Sequence, residues 1–161
     1  MVVENSNWKG LATDIDINAI QVAQKNHKKI CSESDINFYC GNWWEPLIKY
    51  SGRINLAISN PPYIPRSVYE KLPSSVKDFE PKIALYGGED GLYHIQQIIS
   101  EAPKFLVKGG WLILENHFDQ SKKIKNLLRD YGFNSLKTIN DTFGIGTVSY
   151  THLTLPTSSQ V

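Results

Sequence analysis

Short apolar runs alternate along this chain with stretches of helical periodicity, and that alternation constrains the fold more than any other feature. Trp8 to Asp14 ends in an apolar run, and Asn37 to Cys40, Ile54 to Ser59, Trp111 to Leu114 and Leu136 to Ile139 are further strand-like segments. Ile15 to Ile30 carries Ile17, Ile20, Val22, Ala23 and Ile30 at roughly helical spacing. Gly91 to Leu106 puts Leu92, Ile95, Ile98, Ile99, Ala102 and Phe105 on one helical face. Asp119 is placed to cap a helix running to about Asp130, with Gly132 as its end. Lys108-Gly109-Gly110 reads as a stop and turn before Trp111 to Leu114, a run apolar enough to be buried on both faces. Residues 60 to 90 form a long connection rich in Pro, Ser and Gly, of the kind that is usually functional or disordered. Strands alternating with helices imply an α/β chain with a parallel, doubly wound sheet.

Bulk properties narrow the function. The chain has 161 residues, which suits one domain, and 41% hydrophobic content supplies a core. A net charge of +1 gives no electrostatic case for a long nucleic-acid footprint. Lys28-Lys29 and Lys122-Lys123-Ile124-Lys125 read as solvated helix faces. Cys31 and Cys40 lack metal-ligand spacing, so two thiols in a reducing cytoplasm are expected, with no metal. No signal peptide or membrane span is visible in the sequence.

One motif carries chemistry. Asn60-Pro61-Pro62-Tyr63 follows the Ile54 to Ser59 run. In open α/β sheets, ligands bind at the ends of such strands. The prolines fix φ and remove two N–H donors, so the turn is stiff and its carbonyls are free to accept. The Asn60 side chain and the Pro61 carbonyl can take both hydrogens of a planar –NH2 group, with the Tyr63 ring beside it. That suits methylation of an amide or amino nitrogen. The same four residues also make an ordinary proline-rich turn.

Taken together, the motifs resemble the HemK/PrmC family of release-factor glutamine N5-methyltransferases, from about Trp8 to about Gly144. They run in order: Ala12-Thr13-Asp14-Ile15, Gly41-Asn42-Trp43-Trp44-Glu45-Pro46-Leu47, Ser59-Asn60-Pro61-Pro62-Tyr63-Ile64-Pro65, Phe79-Glu80-Pro81 with Ala84-Leu85, Gly87-Gly88-Glu89-Asp90-Gly91-Leu92, and Gly109-Gly110-Trp111-Leu112-Ile113-Leu114-Glu115. The resemblance implies a Rossmann-like methyltransferase fold and S-adenosylmethionine as cofactor. Asp14 matches the acid that accepts the ribose hydroxyls, while Asp16 fits an N-cap. Trp43 matches the residue beside adenine, with Trp44 as a candidate core residue. Asn42 stands where the family often has Asp. Asn60 and Pro61 would accept the two amide hydrogens of the substrate glutamine. Tyr63 would pack against the amide or the methyl donor, and Pro62 and Glu80 would belong to the substrate-binding surface. The expected reaction is direct displacement by the amide nitrogen, helped mainly by proximity and orientation. No catalytic histidine is nominated: His27, His94 and His117 are expected to be helix-face or packing residues. The expected partners are peptide chain release factors. A cytoplasmic monomer is expected, without direct nucleic-acid or membrane contact.

Two departures stand out. The family's glycine-rich D/E-x-G-x-G loop should lie about twenty residues before Asp14, and only thirteen residues precede Asp14 here. Val2 to Asn7 then reads as the end of the first helix and its loop. The sheet is expected to be truncated before its second strand, with the central first strand missing and its two neighbours short of a partner. Unpaired buried backbone groups cost about 1–3 kcal/mol each, so the chain alone is expected to be unstable and not to bind the cofactor. Residues 148–161, with Val148-Ser149-Tyr150-Thr151-His152-Leu153-Thr154-Leu155-Pro156-Thr157, resemble a translated sequencing adapter, leaving residues 1–147 as the partial catalytic domain. The competing functions are a nucleic-acid N-methyltransferase acting on adenine N6 or guanine N2, and a non-catalytic remnant.

Overall fold

Asp16 sets the first strand–helix transition. In a computed structural model describing residues 7–140 and 146–153, its carboxylate accepts from the Asn18 backbone N–H at 2.8 Å, as an N-cap should. Strand β1 (Lys9–Asp14) therefore ends two residues before helix α1 (Ile17–Ile30). Strand β2 (Asp35–Cys40) returns parallel to β1, pairing Asp14 with Cys40. A 3-10 turn, Glu45–Tyr50, closes this first compact unit, Met1–Tyr50. Among the described residues, its buried apolar side chains are Ile20, Trp44 and Leu47. The expected helix end at residues 2–7 falls, but for Asn7, outside the described residues.

The second unit, Ser51–Val161, holds the larger core. Strand β3 (Ile54–Ser59) pairs in parallel with β4 (Leu106–Glu115). Helices α5 (Tyr93–Phe105) and α6 (Ser121–Asp130) pack on one another, α5 against β4 and α6 against β5 (Phe133–Asn140) and β6 (Gly146–Leu153). The apolar face expected on α5 is the one that is buried: Leu92, Ile95, Ile98, Ile99, Ala102 and Phe105 are all in the core. Strand order in this sheet is β3-β4-β6-β5, with β6 antiparallel to both neighbours. Among the described residues β1 and β3 each have one paired edge, so the strands form two sheets. This is a truncated Rossmann-like fold.

Four local expectations need correction. Residues 60 to 90 are not one open connection: they contain helical turns α2 (Arg66–Tyr69), α3 (Ser74–Lys77) and α4 (Lys82–Leu85). Pro65, Pro73 and Pro81 each stand immediately before one of them, where a fixed φ near −65° and a missing N–H suit a helix start. Lys108-Gly109-Gly110 does not stop the chain but lies inside β4, where the register against β3 shifts and Gly109 takes φ +76°. Nor is Trp111 to Leu114 buried on both faces. Leu112 and Leu114 are buried, whereas Trp111 is 41% exposed on the side away from them, as is Ile58 on β3 at 52%. Finally, Asp119 does not cap α6. A 3-10 turn, Phe118–Gln120, precedes the helix, and Asp119 instead meets His117 Nδ1 at 2.6 Å.

Gly146–Leu153 forms a strand although it overlaps the run expected to be foreign. The pairing uses backbone groups and residue alternation, which this run supplies whatever its origin.

A two-stranded sheet is marginal alone, whereas four strands under two helices are not. Amide exchange measured by mass spectrometry is therefore expected to be at least tenfold faster in residues 9–40 than in residues 106–115. Equal protection in both segments would contradict this division.

Candidate functional site

The site elements lie at the carboxyl ends of β3 and β4. Parallel register pairs Ser59 with Leu114, which brings Asn60 and Glu115 level at the sheet's end. Pro61 is fully buried, Asn60 is exposed, and Pro62 and Tyr63 are half-buried. The chain then zips against the glycine-rich segment. Ile64 N–H donates to Leu85 O at 3.0 Å, Gly87 N–H to Ile64 O at 2.9 Å, and Arg66 N–H to Gly88 O at 3.1 Å.

The glycines here are required. A Cβ on Gly87 would come within 2.7 Å of Pro62 O, and Gly88 takes φ +94°. Gly91, at φ +74°, packs so closely under Tyr63 O and Gln120 Nε2 that a Cβ would overlap both. The expected dihedral freedom of Gly88 and Gly91 is thus used, and Gly87 is needed for close approach.

Tyr63 does not present a free ring hydroxyl to a substrate. Its OH donates to Glu115 Oε1 at 3.0 Å. Burial, then the bond to Glu115 and its charge, hold the hydroxyl above the usual tyrosine range, so it remains a donor at neutral pH. Its backbone carbonyl accepts from Gln120 Nε2 at 2.9 Å. Glu115 and Gln120 are the residues sequence reasoning missed. A carboxylate ending a buried strand was the available signal for Glu115; nothing local marked Gln120.

Glu80 lies in the exposed stretch between α3 and α4, beside Phe79, which is 84% exposed. Its backbone N–H donates to Val76 O at 2.9 Å. The structure thus brings Asn60, Pro61, Pro62 and Tyr63 into one turn and leaves Glu80 on a separate surface segment.

The first unit holds the other expected residues. Asp14 is exposed at the end of β1, and its Oδ1 accepts from Asp16 N–H at 2.8 Å. Gly41 N–H donates to Asp14 O at 2.9 Å, which ties Asn42 and Trp43 to the same strand end. The two tryptophans separate clearly. Trp44 is buried in the core, whereas Trp43 is half-buried and held at φ +46°, a conformation bulky side chains rarely adopt. A strand-end carboxylate can accept from the two hydroxyls of a ribose, and a half-buried indole can lie along a purine.

The histidines lie outside this chemistry. His27 Nε2 is 2.9 Å from Ser34 O, and His117 pairs with Asp119. Among the described residues no group of His, Cys, Asp and Glu is placed to hold a metal ion, and no helix is long and apolar enough to cross a membrane.

Two predictions follow from this geometry. Gly52, also at positive φ (+67°), has open space around it. Gly52→Ala is therefore expected to cost only the backbone strain, about 1–2 kcal/mol in urea unfolding, and Gly91→Ala clearly more; equal costs would contradict the packing described. Burial holds the His94 imidazole below the usual histidine range. Its contribution to stability is present above about pH 6.5 and is lost as pH falls through the depressed value. His94→Gln is expected to flatten the acid side of the stability curve, and an unchanged slope would contradict it.

The chain is similar to known methyltransferases in sequence and in fold. The release factor glutamine methyltransferase of Prochlorococcus marinus is 39% identical over 138 residues, which cover 86% of this chain and 47% of that protein. The release factor glutamine methyltransferase of Thermosynechococcus vestitus is 40% identical over 116 residues, 72% of this chain and 40% of that protein. The chain spans about half the length of the curated relatives it matches. Among solved structures, a methyltransferase from Pyrococcus furiosus superimposes with a TM-score of 0.64 at 19% identity, covering 91% of this chain and 64% of that one. No family model matches the chain.

Proposed function

Because this chain belongs, over the residues it shares with them, to the release factor glutamine methyltransferase family, we propose that the protein carrying it methylates the side-chain amide nitrogen of the glutamine in the Gly-Gly-Gln motif of peptide chain release factors. The observation that carries this reading is the turn at the end of β3: Pro61 buried, Asn60 exposed at its lip, and no N–H on either proline.

S-adenosylmethionine, when bound, supplies an electrophilic methyl group on a sulfonium. Asp14 would accept the ribose hydroxyls, Trp43 would lie along the adenine, and Asn42 would accept from its amino group. Asn60 would also be a cofactor-binding residue. The Asn60 side-chain carbonyl and the Pro61 carbonyl accept one amide hydrogen each. This fixes the amide plane and sets two acceptors beside the positive charge that develops on the nitrogen as it attacks. Orientation is the main contribution these residues make. Tyr63 shapes the wall of the site through its ring, its hydroxyl being held by Glu115. Pro62, Glu80 and the exposed Phe79 form the surface offered to the substrate protein. The reading implies a cytoplasmic, monomeric enzyme acting on a protein without touching nucleic acid itself. It also assigns residues 1–147 to the catalytic domain and 148–161 to foreign sequence.

Transfer of labelled methyl from S-adenosylmethionine to a Gly-Gly-Gln peptide tests the proposal, using the protein that carries these residues. Asn60→Ala is expected to lower kcat/KM by at least a hundredfold, about 2.7 kcal/mol. Equal labelling of a Gly-Gly-Glu peptide, or an active Asn60→Ala protein, would overturn it.

A further inference from the structure

The proline pair leaves the turn after β3 with a problem of anchorage. Pro61 and Pro62 carry no N–H, so the middle of the turn has no backbone donor with which to fix itself. Its carbonyls remain, and a donor from elsewhere can hold it through them. Gln120 is that donor. The residue is only 5% exposed. Nε2 donates to Tyr63 O at 2.9 Å and to Asp90 O at 3.2 Å. Oε1 accepts from His117 N–H at 3.0 Å. One amide thus joins the turn after β3, the glycine-rich segment before α5 and the end of β4. All of its partners are backbone groups. Gly91 leaves the space this amide occupies. Tyr63 is secured a second time by its hydroxyl on Glu115.

We propose that Gln120, supported by Glu115, is a positioning residue. It fixes the carbonyl of Tyr63 and so sets where Asn60 and Pro61 present their acceptors. The inference rests on the methyltransferase reading only for its consequence; the clamp itself is a property of this chain.

Gln120→Glu separates positioning from mere bulk. It keeps the shape but, when ionised, sets a carboxylate against two carbonyl oxygens; when protonated, it regains one donor. Burial beside those carbonyls favours the neutral form. The titratable and charged groups around the amide are Tyr63, Asp90 with Lys123, Glu115, and His117 with Asp119. Wild type is therefore measured in parallel at each pH, and the ratio is the readout.

The experiment is amide exchange by NMR on the full chain. At about pH 8 the Ile64 and Arg66 amides are expected to lose at least tenfold protection in Gln120→Glu, with the Leu112 and Leu114 amides unchanged. By about pH 5 most of that loss should be recovered. Gln120→Leu should show the loss at both pH values. In the methyl-transfer assay, the ratio of Gln120→Glu to wild-type kcat should fall as pH rises, with KM for S-adenosylmethionine within about threefold. Unchanged protection at Ile64 and Arg66, or loss in step with Leu112 and Leu114 at every pH, would overturn the proposal. A wild-type protein that transfers no methyl would instead sink the functional reading, and the exchange data would still decide the clamp.

Discussion

Two consecutive prolines just beyond the end of β3 lack hydrogen-bond donors, and much of the local structure answers that loss. A turn whose two central residues lack N–H groups is held in part by what donates to its carbonyls. Gln120 meets Tyr63 O from the segment after β4, and the ladder from Ile64 to Gly88 begins as soon as donors return to the chain. Asn60 is exposed beside the buried Pro61, and in the proposed reading the side-chain oxygen of the first and the carbonyl of the second accept from the ligand. A ligand with two donors in one plane is the complement of that arrangement, and a primary amide is such a ligand.

The same turn explains the glycines that lie nearly thirty residues away. Gly87 admits Pro62 O, and Gly91 admits both Tyr63 O and the Gln120 amide. The α5 helix begins directly after them and buries its whole apolar face against the sheet. The mouth of the site is thus tied to the best-packed part of the second unit, which is how a stiff acceptor pair can be kept in register with a strand end.

Much of this was legible in the residues. Period 3.6 in α5 gave its buried face correctly, and Asp16 as N-cap follows from side-chain chemistry that works over two residues. What failed was longer in range. Trp111 was expected inside because apolar runs suggest two covered faces, yet only the Leu112 and Leu114 face of β4 is covered and Trp111 is left exposed. Pro65, Pro73 and Pro81 looked like loop markers, although the same fixed φ starts α2, α3 and α4. Gln120 could not be found from sequence, since its partners lie up to 57 residues from it along the chain. The Trp43–Trp44 ambiguity needed burial and φ to separate, and neither is written in a pair of identical side chains.

The central claim is that Asn60 and Pro61 hold a primary amide. It is tested most directly by carbon-13 NMR of the Asn60 side-chain carbonyl and the Pro61 backbone carbonyl during titration with a Gly-Gly-Gln peptide and, separately, a Gly-Gly-Glu peptide. Both carbonyls are expected to shift on adding the glutamine peptide and to stay in place with the glutamate peptide, which offers a carboxylate where donors are needed. The same shifts from both peptides, or none from either, would contradict the account.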